Sequence, residues 1–166
     1  MVEKPVQQAF CSVNKEAHGA GSENEGSSGG HGPQREFLIT VDKPEHPITQ
    51  GMPLEWMHSK DELYHSLRGP AKEVEVVASA YCSETGVNEP MAMVIQFGKG
   101  KVFHTPMGHY NEVSTKCLGF QALLVRGTEY AATGTVTVGL PKGFPTKDKA
   151  VHQNPTEVVW EQSAFG

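Results

Sequence analysis

The stretch MAMVIQFGKGKVFHTPMGH, residues 91–109, carries the clearest structural signal in the chain. Two β-favouring runs, 91–97 and 102–105, flank the glycine-containing segment Gly98-Lys99-Gly100-Lys101, which predicts an antiparallel hairpin. The second run ends in a bend at Pro106 and Gly108, so His104 and His109 are expected to converge at the rim of a sheet, where pockets form. Imidazoles placed there can act as general acid and base near neutral pH, hydrogen-bond sugar hydroxyls or ligate a transition metal. The structural alternative is a half-buried strand histidine followed by a loop-capping one. Spacing leaves both readings open.

Outward from the hairpin, residues 114–132 recur with helical period, Leu118, Ala122, Val125 and Glu129 beside Cys117, Gln121, Leu124 and Thr128. Ser114 is the expected N-cap and Gly134 the expected terminator. The tail beyond, with Pro141, Gly143, Pro145 and Pro155, reads as irregular, and Val158, Val159 and Trp160 are candidates to pack back on the body. Upstream, 74–81 reads as a strand, and 61–67 is a short strand or a single helical turn. Residues 42–53 hold Pro44, Pro47, Gly51 and Pro53 and form a connection. The run 37–41 has the apolar continuity of a strand covered on both faces. Before it, AHGAGSENEGSSGGHGP at 17–33 is an exposed linker, and 2–16 is at most a short helix. The expected organisation is therefore a flexible segment over 1–35 and an α/β domain over 36–166.

The 166 residues suit one domain, and 18 glycines with 11 prolines exclude a helical bundle. With 14 basic against 19 acidic residues and no basic cluster, nucleic acid is not an expected partner. No apolar run approaches the roughly 18 residues of a membrane span, so no membrane partner is expected, and the compartment stays open. Cys11, Cys82 and Cys117 lack CxxC spacing, which argues against a disulfide framework or a four-thiolate zinc site. GxSxG, GxxxxGK[ST] and HExxH are all absent.

Among polar clusters, DELYH at 61–65 places Glu62 and Tyr64 on one face if extended, with Leu63 and His65 on the other. Glu62 beside a hairpin histidine would form a carboxylate–imidazole pair that fixes a tautomer or raises a pKa. The alternative is a solvated acidic patch. His31, with glycine on both sides, suits either close approach to a ligand or simple disorder. His46 before Pro47 reads as structural, and His18, His58 and His152 attract no functional role.

In order, HGPQREFLITV (31–41), HPITQGMP (46–53), DELYHSL (61–67) and EPMAMVIQFGKGKVFHTPMGH (89–109) resemble the C-terminal part of the ThuA (trehalose utilisation) family. The similarity continues through FQALLVRGTEYAATGTVTVGLP and FPTKDKA, and the family is a branch of the class I glutamine amidotransferase-like superfamily. The resemblance implies a flavodoxin-like α/β fold with a largely parallel sheet extended by the hairpin, and a chain lacking the N-terminal half of that sheet. Such a sheet would expose an edge through which the chain could form a homo-oligomer. It implies a role in the metabolism of trehalose or related disaccharides by way of keto-sugars. Glu62, His104 and His109 are the implied catalytic residues, and Tyr64, Thr105 and His31 the implied contacts to a small-molecule carbohydrate. The same His104, His109 and Glu62 form a ligand set suited to a divalent metal such as zinc, without a spacing signature. Amidotransferase activity is not implied, because no Cys/His/Glu triad can be placed. The competing reading is a non-catalytic sugar-binding or scaffolding module, or an inactive fragment.

Overall fold

The computed structural model describes residues 29–67, 73–110 and 112–162. In chain order the strands are β1 (Gly30–His31), β2 (Arg35–Val41), β3 (Glu55–Asp61), β4 (Tyr64–His65), β5 (Val74–Cys82), β6 (Val87–Phe97) and β7 (Gly100–His104). The helix α1 (Leu118–Thr133) follows, then β8 (Val138–Pro141) and β9 (Trp160–Gln162). Five strands form the main sheet in the order β3-β2-β5-β6-β7, and every pairing in it is antiparallel. The chain is thus mixed α/β, but the expected parallel, flavodoxin-like sheet is not what these residues build. Parallel neighbours need crossovers of a dozen or more residues, usually helical. Here β5 turns into β6 over 83–86, β6 turns into β7 over 98–99, and the described residues contain a single α-helix.

The hairpin read from 91–105 is present, with Phe97 opposite Gly100 and Gln96 opposite Lys101. The strand expected at 37–41 also forms, yet it alternates: Phe37, Ile39 and Val41 are buried while Leu38 and Thr40 are half-buried, so only one face is fully covered. Residues 42–53 are an ordered connection, folded by backbone turns and plugged into the core by Ile48 and Met52. Arg126 of α1, itself buried, donates from Nη2 to the carbonyls of Pro47 and Gln50 at 2.8 and 2.9 Å and ties this connection down. The segment expected to be flexible up to residue 35 includes β1, which pairs with β4; its part before Gly29 and the possible helix at 2–16 lie outside the described residues.

The helix begins later than its expected cap. Ser114 donates its hydroxyl to the Tyr110 carbonyl at 2.6 Å and opens a 3-10 turn, leaving Cys117 at the N-cap; Gly134 closes the helix as expected. Of the inward face that the periodicity selects, Cys117, Leu118, Gln121 and Ala122 are buried, but further along the helix the face differs. Phe120, Leu123, Arg126 and Gly127 are buried, and Leu124 and Val125 face out. A Cβ on Gly127 would overlap the Phe103 ring, so its absence lets α1 lie against β7. No helix among the described residues is long and apolar enough to cross a membrane.

Candidate functional site

The segment after β7 decides what meets what. β7 and β3 are opposite edges of the sheet, separated by β6, β5 and β2. From His104 the chain crosses the end of the sheet: Thr105 Oγ1 donates to the Met91 carbonyl at 2.8 Å, Met107 enters the core, and the backbone N–H groups of Gly108 and Tyr110 reach Asp61 at the end of β3. Gly108 makes the last bend with φ 97°, and a Cβ there would stand 2.7 Å from Phe120 Cζ, so only glycine fits without displacement. His109 therefore arrives beside β4 and His104 stays behind on β7.

Four side chains assemble where His109 lands. β1 and β4 pair with His31 directly opposite Tyr64, which brings their rings to 5.1 Å. The Tyr64 and His109 rings stack at 5.6 Å with 13° between planes. Tyr64 Oη is hydrogen-bonded to His109 Nδ1 and stands 3.2 Å from Glu62 Oε2, which is itself 3.2 Å from His109 Nδ1 and 3.7 Å from His31 Nδ1. Gln34 Nε2 donates to the other Glu62 oxygen at 3.4 Å. The Glu62 side chain is 14% exposed, whereas those of His31 and His109 are 44% and 59% exposed. The carboxylate forms a floor under two solvent-facing imidazoles.

Partial burial, then the hydrogen bond and charge of Glu62, push the Tyr64 phenol above its ordinary pKa, so it carries its proton at neutral pH. That proton can go to Glu62 Oε2 or to His109 Nδ1. When His109 is protonated, Nδ1–H donates into the Tyr64–Glu62 pair instead. Either arrangement uses Nδ1 within the protein and leaves Nε2 without a protein partner among the described residues. An imidazole oriented by a carboxylate, with its far nitrogen free, is equipped for acid–base work or for hydroxyl recognition.

Of the six residues expected from sequence, the fold brings together Glu62, Tyr64, His109 and His31. It does not bring His104, which stands exposed on β7 opposite Met93 and whose side chain makes no hydrogen bond or ion pair among the described residues. Thr105 has its hydroxyl engaged by backbone, accepting from Met107 N–H at 3.3 Å while donating to Met91. The metal set His104, His109 and Glu62 is therefore split across the sheet. No group of three His, Cys, Asp or Glu side chains arranged to hold a metal ion occurs among the described residues.

Beneath the cluster lies a pair that sequence reasoning passed over. His58 and Asp61 on β3 have no exposed surface, and His58 Nε2 donates to Asp61 Oδ2 at 3.0 Å. Burial alone would raise the Asp61 pKa, but the hydrogen bonds from His58 and from the N–H groups of Tyr110, Gly108 and Glu62 outweigh it and hold the carboxylate below its usual range. Burial alone would likewise lower the His58 pKa, and is outweighed by Asp61 together with the Cys117 thiol, so the imidazole is raised. The Cys117 thiol adjoins His58, but Nδ1 of that ring forms no well-shaped hydrogen bond. Cys117, His58 and Asp61 are all wholly buried, which denies them contact with a substrate. The available signal was the alternation of Trp56 and His58 inside EWMHSKD, too polar a segment to read as a strand with a buried face.

Comparison with known proteins places this geometry in context. The family model ThuA, described as trehalose utilisation, matches residues 8–131. A solved ThuA-like protein from Parabacteroides merdae ATCC 43184 is 38% identical, with a TM-score of 0.72 over 77% of this chain and 49% of its own. This chain thus spans about half the length of that relative. No curated protein matches it.

Proposed function

The chain belongs to the ThuA family, and from that premise we propose that the His31–Glu62–Tyr64–His109 cluster binds a carbohydrate of the trehalose or keto-disaccharide class, with His109 transferring protons to and from it. The observation that carries this reading is the triangle of Glu62 Oε2, Tyr64 Oη and His109 Nδ1 at the surface. A sugar hydroxyl needs a donor and an acceptor side by side. The cluster offers a phenol, a carboxylate and two imidazoles within one small patch, and His109 Nε2 is free to meet the ligand. Glu62 stabilises the imidazolium when His109 takes a proton, and Tyr64 holds the ring flat by stacking. His31 forms the opposite side of the patch.

A second reading, a sugar-binding module without turnover, is favoured by the make-up of the cluster: its hydrogen-bonded members are a phenol, a carboxylate and imidazoles, with no Ser or Cys nucleophile among them. Calorimetric titration with trehalose and with a keto-disaccharide, followed by product analysis, tests both. Saturable binding that weakens about tenfold or more in Glu62→Gln and His109→Ala, the worth of a lost charge-assisted hydrogen bond, is the expected result. Turnover supports the enzyme and binding without turnover supports the module. Binding that survives both substitutions contradicts the site.

A further inference from the structure

We propose that Asp61 is the positioning residue for His109: clamped from inside by His58, its carboxylate grips the loop on both sides of that histidine. Oδ2 accepts from His58 Nε2 at 3.0 Å and from the Gly108 N–H at 2.7 Å. Oδ1 accepts from the Tyr110 N–H at 3.0 Å and from the Glu62 N–H at 2.9 Å. One carboxylate therefore fixes the two backbone neighbours of His109 and the backbone of Glu62 together, and with them the spacing of the acid–base pair. The His109 ring itself meets only Tyr64 and Glu62 among the described residues and more than half of its side chain is in solvent, so the path of its backbone decides whether it reaches them. Its loop has come from the far edge of the sheet, and the Lys60 ammonium over the Tyr110 ring, at 5.7 Å, is an exposed contact that adds little.

The other charged group near the pair is committed elsewhere. Arg35 of β2 stands opposite Asp61 in the strand register, but its guanidinium is committed to Glu84 through bonds of 2.9 and 2.8 Å. From β2 the Phe37 ring packs on His58, from α1 comes the Phe120 ring, and from the N-cap of that helix the Cys117 thiol. Among the described residues His58 is the one cationic group that meets the buried Asp61 carboxylate, so removing it leaves that charge to backbone N–H groups alone.

The inference rests on the reading of His109 as the working imidazole, but its physical core can be measured without any sugar. Hydrogen exchange of the wild-type chain is expected to show the Gly108 and Tyr110 amides protected to within about tenfold of the β5–β6 strand amides, although they lie in a loop. Exchange at the rate of exposed loop amides would overturn the proposal. In Asp61→Asn those two amides are expected to lose about tenfold or more of protection while the β5–β6 amides keep theirs, and the ring-to-ring nuclear Overhauser contacts of Tyr64 and His109 to vanish. In His58→Gln the loop is expected to open, on acidification, at a higher pH than in wild type, because the carboxylate is then easier to protonate. An unchanged pH of opening would count against His58 as the clamp. Sugar titration separates the two claims. Protected amides in a chain that binds no sugar keep the clamp and refute the carbohydrate reading; full sugar affinity in Asp61→Asn, with the loop amides released, refutes the positioning role and keeps that reading.

Discussion

His104 and His109 are five residues apart, and they end in opposite circumstances. His104 completes a ladder pair with Met93 at the outer edge of the hairpin, its side chain exposed and without a polar partner among the described residues. His109 has been carried past β6, β5 and β2 to the other edge, where a phenol, a carboxylate and a second imidazole surround it. The difference teaches that proximity in sequence is a poor guide once a strand ends: the five residue steps from one to the other can reach about 17 Å, more than three inter-strand spacings of about 4.8 Å. What separates the two histidines is a backbone route, and the route is held by Asp61 and allowed by Gly108.

Breaking the route at its anchor has the largest expected effect. Asp61→Ala removes four hydrogen bonds and strands the His58 cation in the core, and is expected to cost about 3 to 5 kcal/mol in denaturant melts. The stability it removes depends on pH in a definite way. The Asp61 contribution is present above the ordinary carboxylate pKa and fades as pH falls through its depressed folded value. The His58 contribution is present below the ordinary imidazole pKa and fades as pH rises through its elevated folded value. The gap between wild type and Asp61→Ala should therefore be widest between about pH 4 and 6.5 and narrow on either side. Breaking the route at its bend is the milder test. Gly108→Ala forces a left-handed residue with a Cβ against Phe120, at a cost of about 1 to 3 kcal/mol, and should weaken sugar binding by displacing His109. The smallest effect sharpens the contrast: His104→Ala should change stability by no more than about 0.5 kcal/mol and leave carbohydrate affinity unaltered.

Those elements were legible in the sequence whose residues repeat with the period of their own structure. The β6–β7 hairpin stands out because β-prone runs flank a glycine turn, and β5 because Val74, Val76 and Val77 lead into an apolar run. The strand β3 escaped because its buried side includes His58 and Asp61, which satisfy each other in the core and so look polar in sequence. β1 escaped because a glycine-flanked histidine has no strand signal of its own and takes its place by pairing with β4. The helix was found and its first turns faced as expected, but its last turns differ, since Gly127 and Arg126 take the inward positions there and leave Leu124 and Val125 outside. The parallel sheet was an expectation carried by family resemblance, and the tight turns of the described residues build antiparallel strands instead. For the site, the pairing of Glu62 with a histidine was readable from DELYH, and which histidine was not, because that depends on strand order.

The most direct test places both histidines in one experiment. In a heteronuclear imidazole spectrum titrated with trehalose or a keto-disaccharide, the resonances of His109 should move saturably while those of His104 stay fixed. Movement of His104 with His109 unchanged, or no movement in either, would contradict the account.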